Sequence, residues 1–215
     1  MKKLIDKSAI VLGAAGAGNM GQVIAKRFAE EGAKVLVAGR REEELKRFST
    51  EIGGAYAICD ITRRSDIDEM VAAAVDAFGS VDIAVNATGW GLTSPFLQTS
   101  EEDLEKMIAL QFKGPFQFLQ AVAGAMQAKG GSIIQISSAT ATIMLENHAA
   151  YMGTKAGVDH VVRCVANEFG QYGVRANSIS PGLTDTPMTH GALAAPGLTD
   201  AFVKEYPLGR IGTSD

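Results

Sequence analysis

Cysteine is scarce in this sequence: Cys59 and Cys164 are the only two in 215 residues. Two thiols cannot build a disulfide framework, so a reducing, cytoplasmic setting is the expectation. A basic excess is also missing, with Lys+Arg 20 against Asp+Glu 24 and a net charge of −4. That balance argues against nucleic acid as a partner. No stretch approaches the ~18 uncharged apolar residues of a membrane span. Lys2 and Lys3 before an apolar run at residues 9–17 outline a secretory signal, but Asp6 and Lys7 interrupt it. The same residues make a better strand and glycine loop. The three histidines, His148, His160 and His190, have no metal-ligand spacing with each other or with either cysteine, so no metal is expected. There is no internal repeat, low-complexity tract or Pro/Gly-rich linker. Residues 1–215 therefore read as a single domain.

What is present is an ordinary globular balance, 47% hydrophobic and 20% charged, which excludes a disordered chain. Apolar, β-branched runs at residues 9–12, 34–38, 55–59, 81–85, 132–136 and 174–179 alternate with helical patterns at 21–31, 42–52, 64–78, 101–127 and 150–172. Continuous apolar strands belong to a parallel sheet covered on both faces. Strict alternation predicts a doubly wound α/β sandwich with right-handed crossovers, a Rossmann-like fold. Residues 184–206 show no clear period and read as a surface excursion, a candidate substrate lid.

The first turn has the composition of a dinucleotide cradle. Gly13-Ala14-Ala15-Gly16-Ala17-Gly18-Asn19-Met20-Gly21 follows the first strand and opens the first helix. Glycines allow a tight turn and close backbone approach, and the helix N-terminus offers amides to a pyrophosphate. At the end of the second strand, where an acidic residue would hold a ribose diol, stands Gly39-Arg40-Arg41. Gly39 leaves room there, and two readings of the arginines stay open: contacts to a 2′-phosphate, hence NADP with NAD possible, or solvated residues at a helix start. Asp60 likewise reads either as an adenine acceptor, next to Ile61, or as a helix cap.

Tyr151 and Lys155 are four apart on one face of a predicted helix. Ser138 ends the fifth strand, thirteen residues earlier, so a loop can return its hydroxyl over that helix. A phenol near pKa 10 is a poor base at neutral pH, and lowering it toward 7 needs ~4 kcal/mol, from an adjacent ammonium and dinucleotide charge. In that arrangement Tyr151 donates a proton to a carbonyl oxygen, Ser138 holds the oxygen and Lys155 tunes Tyr151.

Taken together, the glycine turn, Asp60, Asn86-Ala87-Thr88-Gly89, Ser138, Tyr151-Met152-Gly153-Thr154-Lys155 and Pro181-Gly182-Leu183-Thr184-Asp185-Thr186 resemble the short-chain dehydrogenase/reductase family over nearly the whole chain. The resemblance implies that Ser138, Tyr151 and Lys155 form the catalytic core, and that Lys155 also binds the nicotinamide ribose. It implies too that Asn86 lies in the cofactor site, and that Pro181, Gly182, Thr184 and Thr186 border the nicotinamide. A homodimer or homotetramer is implied, and the stretch Phe112, Phe116, Phe118, Leu119 and Val122 reads as core plus a subunit face.

Three departures from the family pattern matter. Gln111 stands where the family commonly has an Asn in its proton relay. The glycine turn is two residues longer than the commonest version, as in enoyl-thioester reductases, although those usually separate Tyr and Lys by six residues. The ending, residues 207–215, resembles the segment that introduces the family's last helix and strand, so roughly 30 residues of that pattern are expected to be lacking. The leading expectation is hydride transfer between NADP(H) and a ketone or secondary alcohol. The rivals are an enoyl-thioester reductase and a catalytically weak dinucleotide-binding protein. His148 reads as a substrate contact or a polar loop residue, and Trp90, Met144, Leu145 and Met188 as an apolar pocket or as core.

Overall fold

The computed structural model describes residues 2–194 and 197–214; Met1, Asp215 and residues 195–196 of the expected lid lie outside them. Six strands form one parallel sheet: β1 (Ser8–Leu12), β2 (Lys34–Gly39), β3 (Ala55–Ile58), β4 (Ile83–Asn86), β5 (Gly131–Ile136) and β6 (Val174–Ile179), ordered β3-β2-β1-β4-β5-β6. The order reverses between β1 and β4, which opens a crevice beyond their carboxyl ends where ligands of such sheets bind.

Side-chain alternation sorts the core into two layers. Ile10, Leu12, Leu36 and Ala38 face α3 (Arg64–Phe78), α5 (Gly114–Met126) and α6 (Ala149–Phe169), where Ile67, Met70, Phe118, Leu119, Val122, Val158 and Val162 are buried. Ala9, Val11, Val35 and Val37 face α1 (Met20–Glu30) and α2 (Glu42–Ile52), against Ala25, Leu45 and Phe48. β1 and β2 read as unbroken apolar runs because both of their faces are covered, whereas β6 buries Val174 and Ala176 and leaves Arg175, Asn177 and Ile179 exposed.

Two expectations need correction. The single helix expected over 101–127 is interrupted: α4 (Glu101–Ile108) passes into a π-helical turn (Ala109–Lys113) before α5. Pro115 supplies the reason, because it lacks the N–H that would bond the Gln111 carbonyl, and the Gly114 amide donates to Ala109 instead. Gly114 is held there by space, since an added Cβ would stand 2.6 Å from the Ile61 carbonyl oxygen. Secondly, the stretch from residue 184 is more ordered than its lack of period implied. A two-residue strand β7 (Thr184–Asp185), short helices α7 (His190–Leu193) and α8 (Leu198–Glu205), and a strand β8 (Gly212–Thr213) paired with β7 occupy it. Helices of four and eight residues are too short to establish a readable period.

Candidate active site

The glycine turn is built from the backbone outward. Gly13 adopts φ +100, and an added Cβ would lie 2.7 Å from the Ala87 carbonyl group, so this turn packs directly on the loop after β4. Gly21 touches the Gly13 carbonyl oxygen in the same way, with 2.5 Å available to an added Cβ. Asn19 caps α1, its Oδ1 accepting from the Gln22 amide at 2.9 Å while its Nδ2 donates to the Gly13 oxygen at 2.8 Å. Gln22 completes the lock. It accepts from the Gly18 amide and donates to the Ala14 carbonyl and to Glu44 on α2. The sequence reading missed Gln22, although an Asn cap followed three residues later by Gln is a helix-start signal. The partly buried Met20 side chain packs with the α1–α2 core layer.

Gly39 has a different reason from the one expected. An added Cβ would meet Ala15 Cβ at 2.6 Å, so its small size serves the packing of β2 against the turn. Arg41 lies over that turn, its Nε donating to the Ala15 carbonyl at 2.6 Å. Arg40 sits toward Asp60. Burial opposes ionisation of Asp60, yet the Thr62 amide and hydroxyl, with Arg40 and Arg63 nearby, hold its carboxyl below the usual range. Asp60 thus closes a turn on Thr62 and does not cap α3, whose N-cap is Arg63. The two arginines flank the end of β2, one over the glycine turn and one beside β3. Ile61 is 3% exposed and belongs to the core, so it too can offer a ligand only its backbone. Asn86 is fully buried and its side chain is committed to structure. It donates to Gln135 on β5 and accepts from the Thr88 amide and hydroxyl.

The four expected chemical residues form a chain of contacts, with Gln111 and Lys155 beside Gly89, Lys155 against the Tyr151 ring, and Ser138 bonded to the Tyr151 phenol. Lys155 is 5% exposed, donates to the Ile136 carbonyl at 3.2 Å, and places Nζ 5.7 Å from the centroid of the Tyr151 ring. Burial pushes its ammonium down to about 8, with Asp159 pulling it back. Burial also pushes the Tyr151 phenol up, while the Ser138 hydroxyl lowers it. The lowered phenol expected from the sequence is therefore not a property of the protein alone, because desolvation exceeds the help its own residues give. Ser138 Oγ accepts from the Thr140 amide and hydroxyl. Gln111, 3% exposed in the π turn, donates to the Trp90 carbonyl at 2.9 Å and to Met107 Sδ at 3.0 Å. Its Oε1 is buried with no partner. A Cβ added at Gly89 would lie 3.4 Å from that oxygen and 3.9 Å from Lys155 Nζ, so the orphan acceptor and the ammonium border the same small space.

The segment after β6 is clamped. The Pro181 carbonyl accepts from the Ala139 amide. Tyr206 Oη accepts from the Leu183 amide at 2.6 Å, and its ring fills the space an added Cβ on Gly182 would need. Thr184 and Thr186 bond within their own turn, to the Gly182 carbonyl and to Thr189. Sequence reasoning missed Tyr206, which lies 23 residues from its partner without a motif. His148 fastens loops, its Nδ1 paired with the Glu146 carbonyl and its Nε2 with the Thr93 hydroxyl. Among the described residues no group of three or more His, Cys, Asp or Glu could hold a metal ion, and no helix is long and apolar enough to cross a membrane.

A glycine turn at the switch point, a helix N-terminus behind it and an orphaned acceptor beside a buried ammonium fit a dinucleotide with its reactive ring near Tyr151. Comparison with known proteins agrees with that geometry. Residues 13–215 match the family model described as enoyl-(acyl carrier protein) reductase. D-threitol dehydrogenase of Mycolicibacterium smegmatis is 33% identical over 219 residues, covering 99% of this chain and 83% of that one. An uncharacterized oxidoreductase of Staphylococcus epidermidis is 33% identical over 213 residues, 94% of this chain and 92% of that one. The solved structure of a short-chain type dehydrogenase/reductase from Mycobacterium ulcerans superposes with a TM-score of 0.93 at 28% identity, covering 99% of this chain and 80% of that chain. Matched by that family model over residues 13–215 and by such relatives along almost its full length, the chain belongs to the short-chain dehydrogenase/reductase family of oxidoreductases.

Proposed function

We propose that this oxidoreductase interconverts a ketone and a secondary alcohol with NADP(H), NAD(H) being the weaker cofactor. The observation that carries the reading is a chain of contacts: the unpartnered Gln111 oxygen and Lys155 Nζ border one space beside Gly89, Lys155 lies against the Tyr151 ring, and Ser138 bonds the Tyr151 phenol. When bound, the nicotinamide supplies or accepts the hydride. The residues of the chain handle the proton and the oxygen. Ser138 holds the carbonyl oxygen, and Tyr151 delivers a proton to it, or takes one from the alcohol. Lys155, whose charged form burial disfavours, stays bonded to the Ile136 carbonyl and leans on the Tyr151 ring, so its charge is available where the phenolate develops. Gln111 Oε1 offers a further acceptor on the far side of the ammonium. The amides at the start of α1 and the arginines around the end of β2 support the phosphate end.

The family model's description and the longer glycine turn favour a second reading, reduction of an enoyl thioester. The separation of Tyr151 from Lys155 speaks for carbonyl chemistry. The residues from 184 onward act in this reading as a lid over the substrate, held by Tyr206 and β8. A homodimer or homotetramer is part of the proposal, since Leu104, Ile108 and Phe116 repeat at helical spacing as an exposed apolar stripe on α4 and α5. The test is a panel of ketones, secondary alcohols and enoyl thioesters followed by nicotinamide absorbance with both cofactors. Turnover of ketones or alcohols is expected. Cofactor binding with no turnover of any carbonyl or alcohol defeats the proposal.

A further inference from the structure

The loops that follow β4, β5 and β6 join into one continuous rim. The Ser94 amide donates to the Asn147 carbonyl and Thr93 pairs with His148, which ties the first loop to the second. The Ala139 amide donates to Pro181, which ties the second to the third. Ser138 and Tyr151 lie at the two ends of the middle loop, so the rim borders the reacting groups.

Two properties of this rim stand out. It is apolar where solvent touches it: Phe96, Leu97, Ile143, Met144 and Met188 are all exposed, Leu97 at 95% and Met144 at 88%. It also lacks cations. Residues 87–100, 137–150 and 181–194 contain no lysine or arginine, while Glu146 and Asp185 are acidic. Farther along the expected lid, Lys204 and Arg210 are offset by Asp200 and Glu205. Exposed large side chains on linked loops mark a binding surface, and a mouth with carboxylates and no lysine or arginine disfavours anions, although Asp185 stands 3.3 Å from His190 Nδ1. The polar side chains there are partly committed, with His148 bonded at both ring nitrogens to Thr93 and Glu146.

We infer that the substrate is an uncharged ketone or secondary alcohol carrying an apolar substituent of several carbons, which lies against Met144, Ile143 and Met188, and that carboxylates, phosphates and carrier-bound thioesters are excluded. The inference rests on the ketone–alcohol reading above and names its substrate class. Charge complementarity selects this occupant over an anionic one, and continuity with Ser138 and Tyr151 selects a substrate over a protein partner.

The test compares unbranched 2-alkanones and 2-alkanols of four to eight carbons with keto acids of matched length, with a polyol and with an enoyl thioester. Trp90, the single tryptophan, lies near the start of the loop after β4 and reports binding by its fluorescence, independently of turnover. Each added methylene should raise kcat/KM and affinity about threefold, and the keto acid should fall at least tenfold below the neutral ketone of equal length. Met144→Ser should lower kcat/KM for the longest alkanone more than for the shortest. Met144→Lys should narrow the gap to the keto acid. A flat chain-length series, or a keto acid, polyol or thioester preferred over every neutral ketone, overturns the inference while leaving the oxidoreductase intact. Alkanols that bind with the methylene gradient but are never oxidised refute the proposed reaction and leave the apolar rim standing. Absence of both binding and turnover refutes the inference.

Discussion

Lys155 gives the sharpest test of the site, because the same burial that suits it to chemistry costs the fold stability. Its ammonium is held at about 8 where a solvated lysine stands at 10.5. At about 1.4 kcal/mol per tenfold, keeping it charged inside the folded chain at pH 7 costs about 3 kcal/mol. Methionine has a similar length and no charge, so Lys155→Met removes that cost. It also removes the bond to the Ile136 carbonyl, worth about 1 kcal/mol, but Gln135 Nε2 donates to the same oxygen at 3.0 Å and keeps it partnered. The expected net gain is about 2 kcal/mol at pH 7, or a Tm increase of about 4–8 °C for a chain of this size, with activity abolished. The pH dependence has a definite sign. Below pH 8 both folded and unfolded wild-type chains hold the proton, and the cost is constant. Between about 8 and 10.5 the folded chain has released it while the unfolded chain keeps it, so wild-type stability rises with pH through this window. The advantage of Lys155→Met must therefore shrink from pH 8 upward. Urea unfolding of the cofactor-free protein at fixed concentration, at pH 7 and pH 10, measures both effects. A Lys155→Met chain less stable than wild type at pH 7, or an advantage indifferent to pH, would show that the ammonium is compensated where it sits and would refute the reasoning.

Other expectations follow from the same geometry. Tyr151→Phe keeps the ring against Lys155 but removes the phenolic proton, so turnover should fall by ~10²-fold or more with cofactor affinity little changed; turnover near wild type ends the mechanism. Gln111→Ala should lower activity and shift its pH profile, with Gln111→Asn retaining more, and equal profiles in all three exclude the position from the site. Tyr206→Phe loses the only hydroxyl bonded to the Leu183 amide among the described residues, and should raise the cofactor KM severalfold with a smaller change in kcat, which steady-state kinetics will read. Arg41→Ala and Arg40→Ala should each erase most of a roughly tenfold NADP(H) preference, weakened by salt because both side chains are exposed; dissociation constants already equal for NAD(H) and NADP(H) in the wild type would leave the arginines merely solvated.

The alternation of strands and helices was legible because the central strands are apolar on both sides, and nothing in such a run says which residue serves which layer until it is folded. That Ile10 and Leu12 go to one layer and Ala9 and Val11 to the other is a consequence of the alternation of side chains along β1, both of whose faces are covered. The break in the long helix was less visible, since hydrophobic period continues across residues 109–113 and only Gly114-Pro115 betrays it. Tertiary contacts were not legible at all. Gly39 looked like room for a phosphate and proves to be room for Ala15. Asn86 belongs to a recognisable motif, yet its amide ties β4 to β5 and spends its bonds on the sheet. In both cases the partner that the structure shows was unknowable from spacing.

The candidate chemical residues stood out for a different reason: they are polar groups spaced one turn apart on α6 and just beyond the end of β5. Their electrostatics could not be read from spacing, because the decisive quantity is burial. A tyrosine and a lysine one turn apart look like a phenol activated by a cation. Folding moves each toward its neutral form, the phenol up and the ammonium down, so proximity alone does not activate the pair. The groups that favour the charged lysine are few: the Ile136 carbonyl, which it must share with Gln135, the Asp159 carboxylate one turn further along α6, and the unpartnered Gln111 oxygen across Gly89. Of these the Gln111 oxygen and Asp159 Oδ1 are buried without a hydrogen-bond partner, and the Gln111 oxygen is held in place by the π turn that Pro115 forces on the helix. The irregular backbone and the unusual glutamine are therefore one feature, since the π turn carries Gln111 toward the ammonium and the longer amide arm keeps its nitrogen on Trp90 and Met107 while its oxygen faces the space beside Lys155.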